Sequence, residues 1–266
     1  MDKIGLIAGG GDLPVILAEE ARKKGVKVIG FAIKGMTSSA LDKACARTHW
    51  FDPTQITKFK LLMLVENIKK VVMLGKVDKS IIYTKPKNGE KDLNLLKNSG
   101  DKSDYAMLDR ITEEFTKRGI EVISGIEYLS DLFPPKGALT NRHPSERELV
   151  DISFGLEKAR EIARMDIGQT IVVKDKTVIS VEAMEGTDNA IKRGASLCGE
   201  GFVVIKVSRP QQDMRWDVPA VGAGTIDLIA RNKGKALAIE EKKTFLVHPD
   251  ICVRLADNND MSIVIV

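Results

Sequence analysis

The opening of the chain constrains its fold more than any other stretch. Lys3-Ile-Gly-Leu-Ile-Ala is a short apolar run that reads as a buried strand, and Gly9, Gly10 and Gly11 follow it. Apolar residues then recur with helical spacing at Val15, Leu17, Ala18 and Ala21. Asp12 suits the N-cap, Pro14 the first turn and Gly25 the stop. A second apolar run, residues 26–33, completes a strand–helix–strand unit. Parallel strands need such a crossover, so the pattern commits this part of the chain to a parallel sheet covered by helices.

The turn after the first strand exposes backbone N–H groups at a helix N-terminus, which suits a phosphate. Three consecutive glycines do not make the GxGxxG fingerprint. A tight turn relieved by glycine fits the same residues. Gly10, Gly11 and Asp12 are candidates for substrate contact. Further on, 54–67 reads as a helix and 70–74 as a strand, with Gly75 and Lys76 at its carboxyl end. Open α/β sheets bind ligands at that end, which makes Lys76 a candidate phosphate contact. Residues 84–104 are polar and Lys-rich, suited to a solvated connection or a lid. A helix over 105–118 and a strand over 120–124 continue the alternation.

Three prolines and no periodicity mark Phe133-Pro-Pro-Lys-Gly-Ala-Leu-Thr-Asn-Arg-His-Pro-Ser-Glu as a linker. The expected organisation is a Rossmann-like N-terminal domain over 1–132, a linker over 133–146 and a mixed α/β C-terminal domain over 147–266. The second domain opens with a helix over 146–164 capped by Ser145, then a hairpin around Asp175-Lys176. Its second strand ends in Glu182 and Glu185, and Thr187 or Asp188 suits the cap of the next helix. Carboxylates beside a helix N-terminus offer a cation and phosphate site. Apolar strands follow at 202–207, 235–239, 244–247 and 262–266, with helices at 226–232 and from His248 onward. Thr140 in the linker and Thr170 before the hairpin join the candidate substrate contacts.

The chain has 266 residues, and its net charge of +4 comes from 41 basic and 37 acidic residues, too balanced to argue for nucleic acid. Cys45, Cys198 and Cys252 include no CxxC pair, which argues against disulfides or a zinc ribbon and for a reducing cytoplasm. No run approaches the roughly 18 apolar residues of a membrane span, so any membrane contact is peripheral. His49, His143 and His248 are scattered and give no metal or triad motif.

Residues 208–225 carry the richest chemistry. Between Pro210 and Pro219, Asp213, Arg215 and Asp217 alternate with Met214, Trp216 and Val218. In an extended backbone one face would carry two carboxylates around a guanidinium and the other an apolar anchor. A solvated edge strand fits the same pattern. Hard cations such as Mg²⁺ take carboxylate oxygens, and an arginine pairs with phosphate through two hydrogen bonds.

Four blocks together resemble the LpxI-type UDP-2,3-diacylglucosamine pyrophosphatases: Gly5-Leu-Ile-Ala-Gly-Gly-Gly-Asp-Leu-Pro, Asp166-Ile-Gly-Gln-Thr, Val181-Glu-Ala-Met-Glu-Gly-Thr-Asp and Pro210-Gln-Gln-Asp-Met-Arg-Trp-Asp-Val-Pro-Ala-Val-Gly. They fall in the family's order and span nearly the whole chain. The resemblance implies two α/β domains and a Mg²⁺-dependent hydrolase of lipid A biosynthesis. Its substrate would be UDP-2,3-diacylglucosamine, cut to UMP and 2,3-diacylglucosamine 1-phosphate by water attack on the sugar-side phosphorus. It implies Asp217 as the essential aspartate, with Arg215 on the phosphate and Asp213 ranked after them. Asp217 would bind Mg²⁺ or orient the water. The carboxylate pattern itself offers Asp213, Glu182, Glu185 and Asp188 as further oxygen donors, of which Glu182 is taken with Asp217 as a metal ligand. Gly10, Gly11, Asp12, Thr187 and Asp188 match positions near ligand. A homodimer and a peripheral contact with the inner membrane's cytoplasmic face stay open. So do two other readings: a non-catalytic nucleotide- or lipid-binding protein, and a nucleotide-sugar-dependent oxidoreductase.

Overall fold

Strands pair in the order the N-terminal alternation demands. The computed structural model describes residues 2–52, 55–77, 104–215 and 217–266, so the polar stretch at 84–103 and Trp216 lie outside the described residues. The chain divides into two compact units, Met1–Leu129 with Met214–Asp217, and Ser130–Asp213 with Val218–Val266.

In the N-terminal unit, β1 (Lys3–Ala8), β2 (Lys27–Ile33), β3 (Arg47–Phe51), β4 (Lys70–Leu74) and β5 (Glu121–Val122) form a sheet ordered β3-β2-β1-β4-β5. Every pairing is parallel. This is the doubly wound, Rossmann-like arrangement, and its direction of winding reverses between β1 and β4. Helices α1 (Leu13–Lys23), α2 (Leu41–Ala44), α3 (Ile56–Val65), α4 (Asp104–Thr116) and α5 (Ile126–Leu129) supply the connections. Asp12 holds the N-cap position of α1 in a helical conformation, and its side chain does not cap the helix. Pro14 sits in the first turn as expected.

β3 escapes the sequence pattern because Arg-Thr-His-Trp-Phe is no apolar run, and an edge strand needs only one buried position, Phe51. Polar contacts tie it down. Glu66, buried at the end of α3, accepts hydrogen bonds from Arg47 Nη1 at 2.9 Å and pairs with His49 Nε2 at 2.7 Å. The Glu66 carbonyl also accepts from Lys3 Nζ on β1. One residue thereby links a helix end to two strands.

The C-terminal unit holds a mixed six-stranded sheet. Its strands are β6 (Gly137–Ala138), β7 (Thr170–Lys174), β8 (Thr177–Val181), β9 (Val203–Lys206), β11 (Ala236–Ile239) and β13 (Ser262–Ile265), in the order β6-β13-β11-β9-β7-β8. β9, β11 and β13 run parallel, and β6, β7 and β8 pair antiparallel. Alternate residues feed opposite faces. Ile171, Val173, Val203, Ile205, Ala236 and Ala238 pack against α6 (Glu146–Arg164) through Ile152, Ala159 and Ala163. Val172, Val204, Leu237, Ile239, Ile263 and Ile265 pack on the other face against α7 (Thr187–Cys198), α8 (Ala223–Arg231) and α9 (Pro249–Asp257). Burial on both faces explains why these strands read as continuous apolar runs.

Ser145 caps α6 in a capping box with Glu148. The Asp175-Lys176 turn has φ of 52° and 55°, and the buried Asp151 carboxylate accepts from both of its N–H groups. The Pro-rich region clusters with this unit. Gly137–Ala138 pairs with β13, and Arg142 grips Glu148 through two nitrogens at 2.7 and 2.9 Å. A two-stranded parallel pair, β10 (Ala220–Val221) with β12 (Phe245–Leu246), completes the unit. Among the described residues no helix is long and apolar enough to cross a membrane.

The Glu66 contacts give a testable sign. The His49 hydrogen bond, helped by Arg47, holds the Glu66 carboxyl below the usual carboxylate range. A depressed folded-state pKa contributes stability above the unfolded carboxylate pKa, and loses it as pH falls through the folded value. Glu66→Gln is expected to lower stability by roughly 1–3 kcal/mol at neutral pH. The gap to the parent should close on acidification through the carboxylate range, read by urea unfolding across pH. A gap independent of pH would mean Glu66 acts by shape alone.

Candidate functional site

In the C-terminal unit, four polar side chains meet where the parallel strands end. Lys206 closes the otherwise apolar β9, and β7 runs the opposite way, so its first residue, Thr170, lies opposite Lys206. Glu182 follows β8, and its N–H donates to the Thr170 carbonyl at 2.8 Å. Thr187 is the first residue of α7. Its hydroxyl donates to Glu182 Oε1 at 2.8 Å and accepts from Lys206 Nζ at 3.0 Å, with Thr170 Oγ1 3.5 Å away. Glu182 Oε2 is buried and has no hydrogen-bond partner among the described residues.

The expected cap does not form. Gly186, with φ of 79°, holds the N-cap of α7, and no side chain caps it. Thr187 is instead committed to Glu182. Asp188 is exposed in the first helical turn, where a carboxylate suits the helix dipole. Glu185 pairs with Arg193, whose hydrogen bond holds that carboxyl below the usual range.

The block at 166–170 knits this end together. Val207 N–H donates to the Gln169 carbonyl, Asp166 pairs with Arg209 at 2.7 Å, and Gln169 Nε2 donates to Gln212 Oε1 at 3.2 Å. Gln212 Oε1 also accepts from Ser208 Oγ and from Arg209 N–H. Glu240, only 3% exposed after β11, accepts from Ser208 N–H and Arg160 Nε, both at 2.9 Å.

Segment 208–219 is not the extended strand its alternation suggests. Gln212 N–H donates back to the Arg209 carbonyl, closing a turn, and among the described residues no strand lies between β9, which ends at Lys206, and β10 at Ala220–Val221. Proline at 210 and the three-way Gln212 lock favour that turn over a ladder. Asp213 clusters with the C-terminal unit, while Arg215 and Asp217 cluster with the N-terminal one. In the latter, Ser124 Oγ donates to the Met214 carbonyl at 3.2 Å.

In the N-terminal unit, Gly10 and Lys76 meet at the carboxyl ends of β1 and β4, the point where the winding reverses. Gly10 N–H donates to the Lys76 carbonyl at 2.7 Å, and Lys76 N–H returns to Gly10 at 2.9 Å. A Cβ on Gly9 would lie 2.5 Å from the Lys76 carbonyl oxygen, and one on Gly75 2.8 Å from that of Gly10. Gly11 has φ of 91°, and both Asp12 and Lys76 are exposed. Close approach and a left-handed turn therefore account for Gly9 and Gly11 by themselves.

Thr170, Glu182 and Thr187 come together, with Asp188 adjoining. Thr140 lies elsewhere. Its hydroxyl donates to the Arg142 carbonyl and accepts from Ile263 N–H, near the opposite end of the sheet from Thr170. Sequence reasoning missed Lys206, Glu240 and Gln212. The available signal was position: Lys206 and Glu240 are the first charged residues at the carboxyl ends of apolar parallel strands.

Mg²⁺ binds through one or two carboxylates and completes its shell with substrate phosphates and water. Glu182 Oε2 is a hard oxygen donor of that kind. Among the described residues no group of three His, Cys, Asp or Glu could hold a metal ion. Glu182 would therefore give such an ion a partial carboxylate shell only.

The site depends on Gly168. A Cβ there would lie 1.9 Å from the Glu182 carbonyl oxygen, a backbone atom that cannot swing away. Gly168→Ala should cost about 2 kcal/mol of strain, roughly 4–8 °C in Tm. Gly224→Ala, inside α8 with nothing within 4 Å, should not lower Tm in the same thermal scan.

Comparison with known proteins follows the two units. Residues 3–132 match the LpxI N-terminal domain and residues 135–264 the LpxI C-terminal domain. The UDP-2,3-diacylglucosamine pyrophosphatase LpxI of Caulobacter vibrioides is 32% identical over 97% of this chain and 95% of its own length. Among solved structures, the biotin carboxylase domain of a thermophilic 2-oxoglutarate carboxylase aligns at 10% identity over 65% of this chain and 35% of its own, with a TM-score of 0.29. Phosphoribosylglycinamide synthetase from Anaerococcus prevotii aligns at 12% over 76% and 44%, with a TM-score of 0.27. Structural likeness at that level carries no argument, whereas the two domain matches and the full-length relative do: the chain belongs to the LpxI family.

Proposed function

We propose that this protein hydrolyses the pyrophosphate of UDP-2,3-diacylglucosamine to UMP and 2,3-diacylglucosamine 1-phosphate, a step of lipid A biosynthesis. The observation that carries this reading is the full-length relationship to a pyrophosphatase of that name, across both domains. The clustered hydroxyls, ammonium and carboxylate at the carboxyl end of the C-terminal sheet support it.

Water attacks the sugar-side phosphorus, and UMP leaves. The chain's residues must orient that water and neutralise charge on the phosphoryl oxygens. Asp217 is the carboxylate on which turnover depends, and it orients the water or binds the cation. Arg215 offers the phosphate a forked donor, and Asp213 ranks behind both. Lys206 and the N–H groups that open α7 present positive charge to a phosphate, and Thr170 lines the same end. Glu182 is the carboxylate whose surroundings in this structure suit Mg²⁺. When bound, Mg²⁺ withdraws charge from the phosphate oxygens. Gly10, Gly11, Asp12 and Lys76 remain proposed substrate contacts at the winding reversal of the N-terminal sheet.

The test is UMP release from UDP-2,3-diacylglucosamine, with and without EDTA. The parent protein should turn over and EDTA should stop it. Asp217→Ala should lose at least about 100-fold in kcat with an unchanged melting temperature. Parent-like turnover by Asp217→Ala would remove the assignment, and no UMP from the parent would remove the function.

A further inference from the structure

We infer that Lys206 and Thr187 are positioning residues, which fix the Glu182 carboxylate so that one oxygen is left to bind a divalent cation. This rests on the reading of the protein as a Mg²⁺-dependent hydrolase.

The direction of each hydrogen bond follows from chemistry. An ionised carboxylate only accepts and an ammonium only donates. A threonine hydroxyl has one proton to give and lone pairs to accept with. Thr187 Oγ1 lies 2.8 Å from Glu182 Oε1 and 3.0 Å from Lys206 Nζ. Its proton therefore goes to Glu182, and the lysine supplies a proton to the hydroxyl. Polarised in this way, the hydroxyl is a stronger donor than an isolated threonine.

The backbone of Glu182 is held as well. Its N–H donates to the Thr170 carbonyl at 2.8 Å, and its own carbonyl is pressed against Gly168. One carboxylate oxygen is engaged and the other, Oε2, is buried without a hydrogen-bond partner among the described residues. Leaving a charged oxygen so costs more than a neutral one, and a structural role would have to repay that cost. Local capping does not: α7 has no side-chain cap, whereas Ser145 and Glu148 share out their contacts in a complete capping box. An oriented carboxylate with one vacant oxygen is what a metal ligand needs. Neighbours that orient a ligand typically govern about 10- to 100-fold in metal affinity.

Mn²⁺ serves as the probe, its free concentration followed by electron paramagnetic resonance with and without saturating UMP. The proteins compared are the parent, Glu182→Gln, Thr187→Val, Thr187→Ser and Lys206→Met. Glu182→Gln sets the baseline without the ligand. Thr187→Val and Lys206→Met should weaken Mn²⁺ binding by about tenfold or more. Thr187→Ser, which keeps the hydroxyl, should bind as the parent does. If Thr187→Val fails to fold by circular dichroism, Lys206→Met against Thr187→Ser carries the comparison. Parent-like binding by both Thr187→Val and Lys206→Met would overturn the inference. So would a parent that binds no tighter than Glu182→Gln, or a Thr187→Ser as weak as Thr187→Val. UMP release from the acylated nucleotide is measured beside it. The expected binding pattern without turnover would leave the positioning intact and remove the substrate.

Discussion

Backbone passes within van der Waals reach of backbone at the strand ends of both units, and only glycine permits it. In the N-terminal unit Gly9 and Gly75 let the turns after β1 and β4 exchange two hydrogen bonds. In the C-terminal unit Gly168 lets the 166–170 block lie against Glu182. Neither approach survives a Cβ without a backbone shift. Each brings together segments distant in sequence at the carboxyl ends of parallel strands, where α/β sheets place their chemistry. The candidate residues are thus fixed by backbone contact first and by their own hydrogen bonds second.

The fold was legible because its drivers are local and repetitive. Strand β4 falls on the residues its apolar run marks, and the Asp175-Lys176 hairpin and the Ser145 cap follow from turn and cap chemistry. What escaped is short or held by tertiary contacts. β3 depends on Glu66 rather than on an apolar run. β6 has two residues amid prolines, and its pairing with β13 is set by contacts over a hundred residues away. No window of neighbouring residues carries that information.

The site was legible in part. Glu182 and Thr187 were singled out as strand-end and helix-start residues, and they do meet, but Thr187 serves Glu182 instead of capping the helix. Alternation misled at 208–219. Period-two patterning reports which side chains are half-buried and does not set the backbone, which turns at 209–212 under the hold of Gln212. The glycine run was ambiguous for a related reason. Close approach, positive φ and ligand contact all demand glycine, and the first two suffice at Gly9, Gly11 and Gly75.

Two carboxylates at the same end of the C-terminal sheet separate structure from chemistry. Glu240 is nearly inaccessible, and a buried ion without partners costs several kcal/mol. Both oxygens are met: Arg160 and Lys243 donate to one and the Ser208 N–H to the other. With both oxygens engaged, that carboxylate secures the entry to the 208–212 turn. Glu182 is met by half, with one oxygen held and the other without a hydrogen-bond partner among the described residues. Both residues follow an apolar strand directly, so the sequence context treats them alike. Their unequal satisfaction is the difference on which the proposed cation ligand at Glu182 rests.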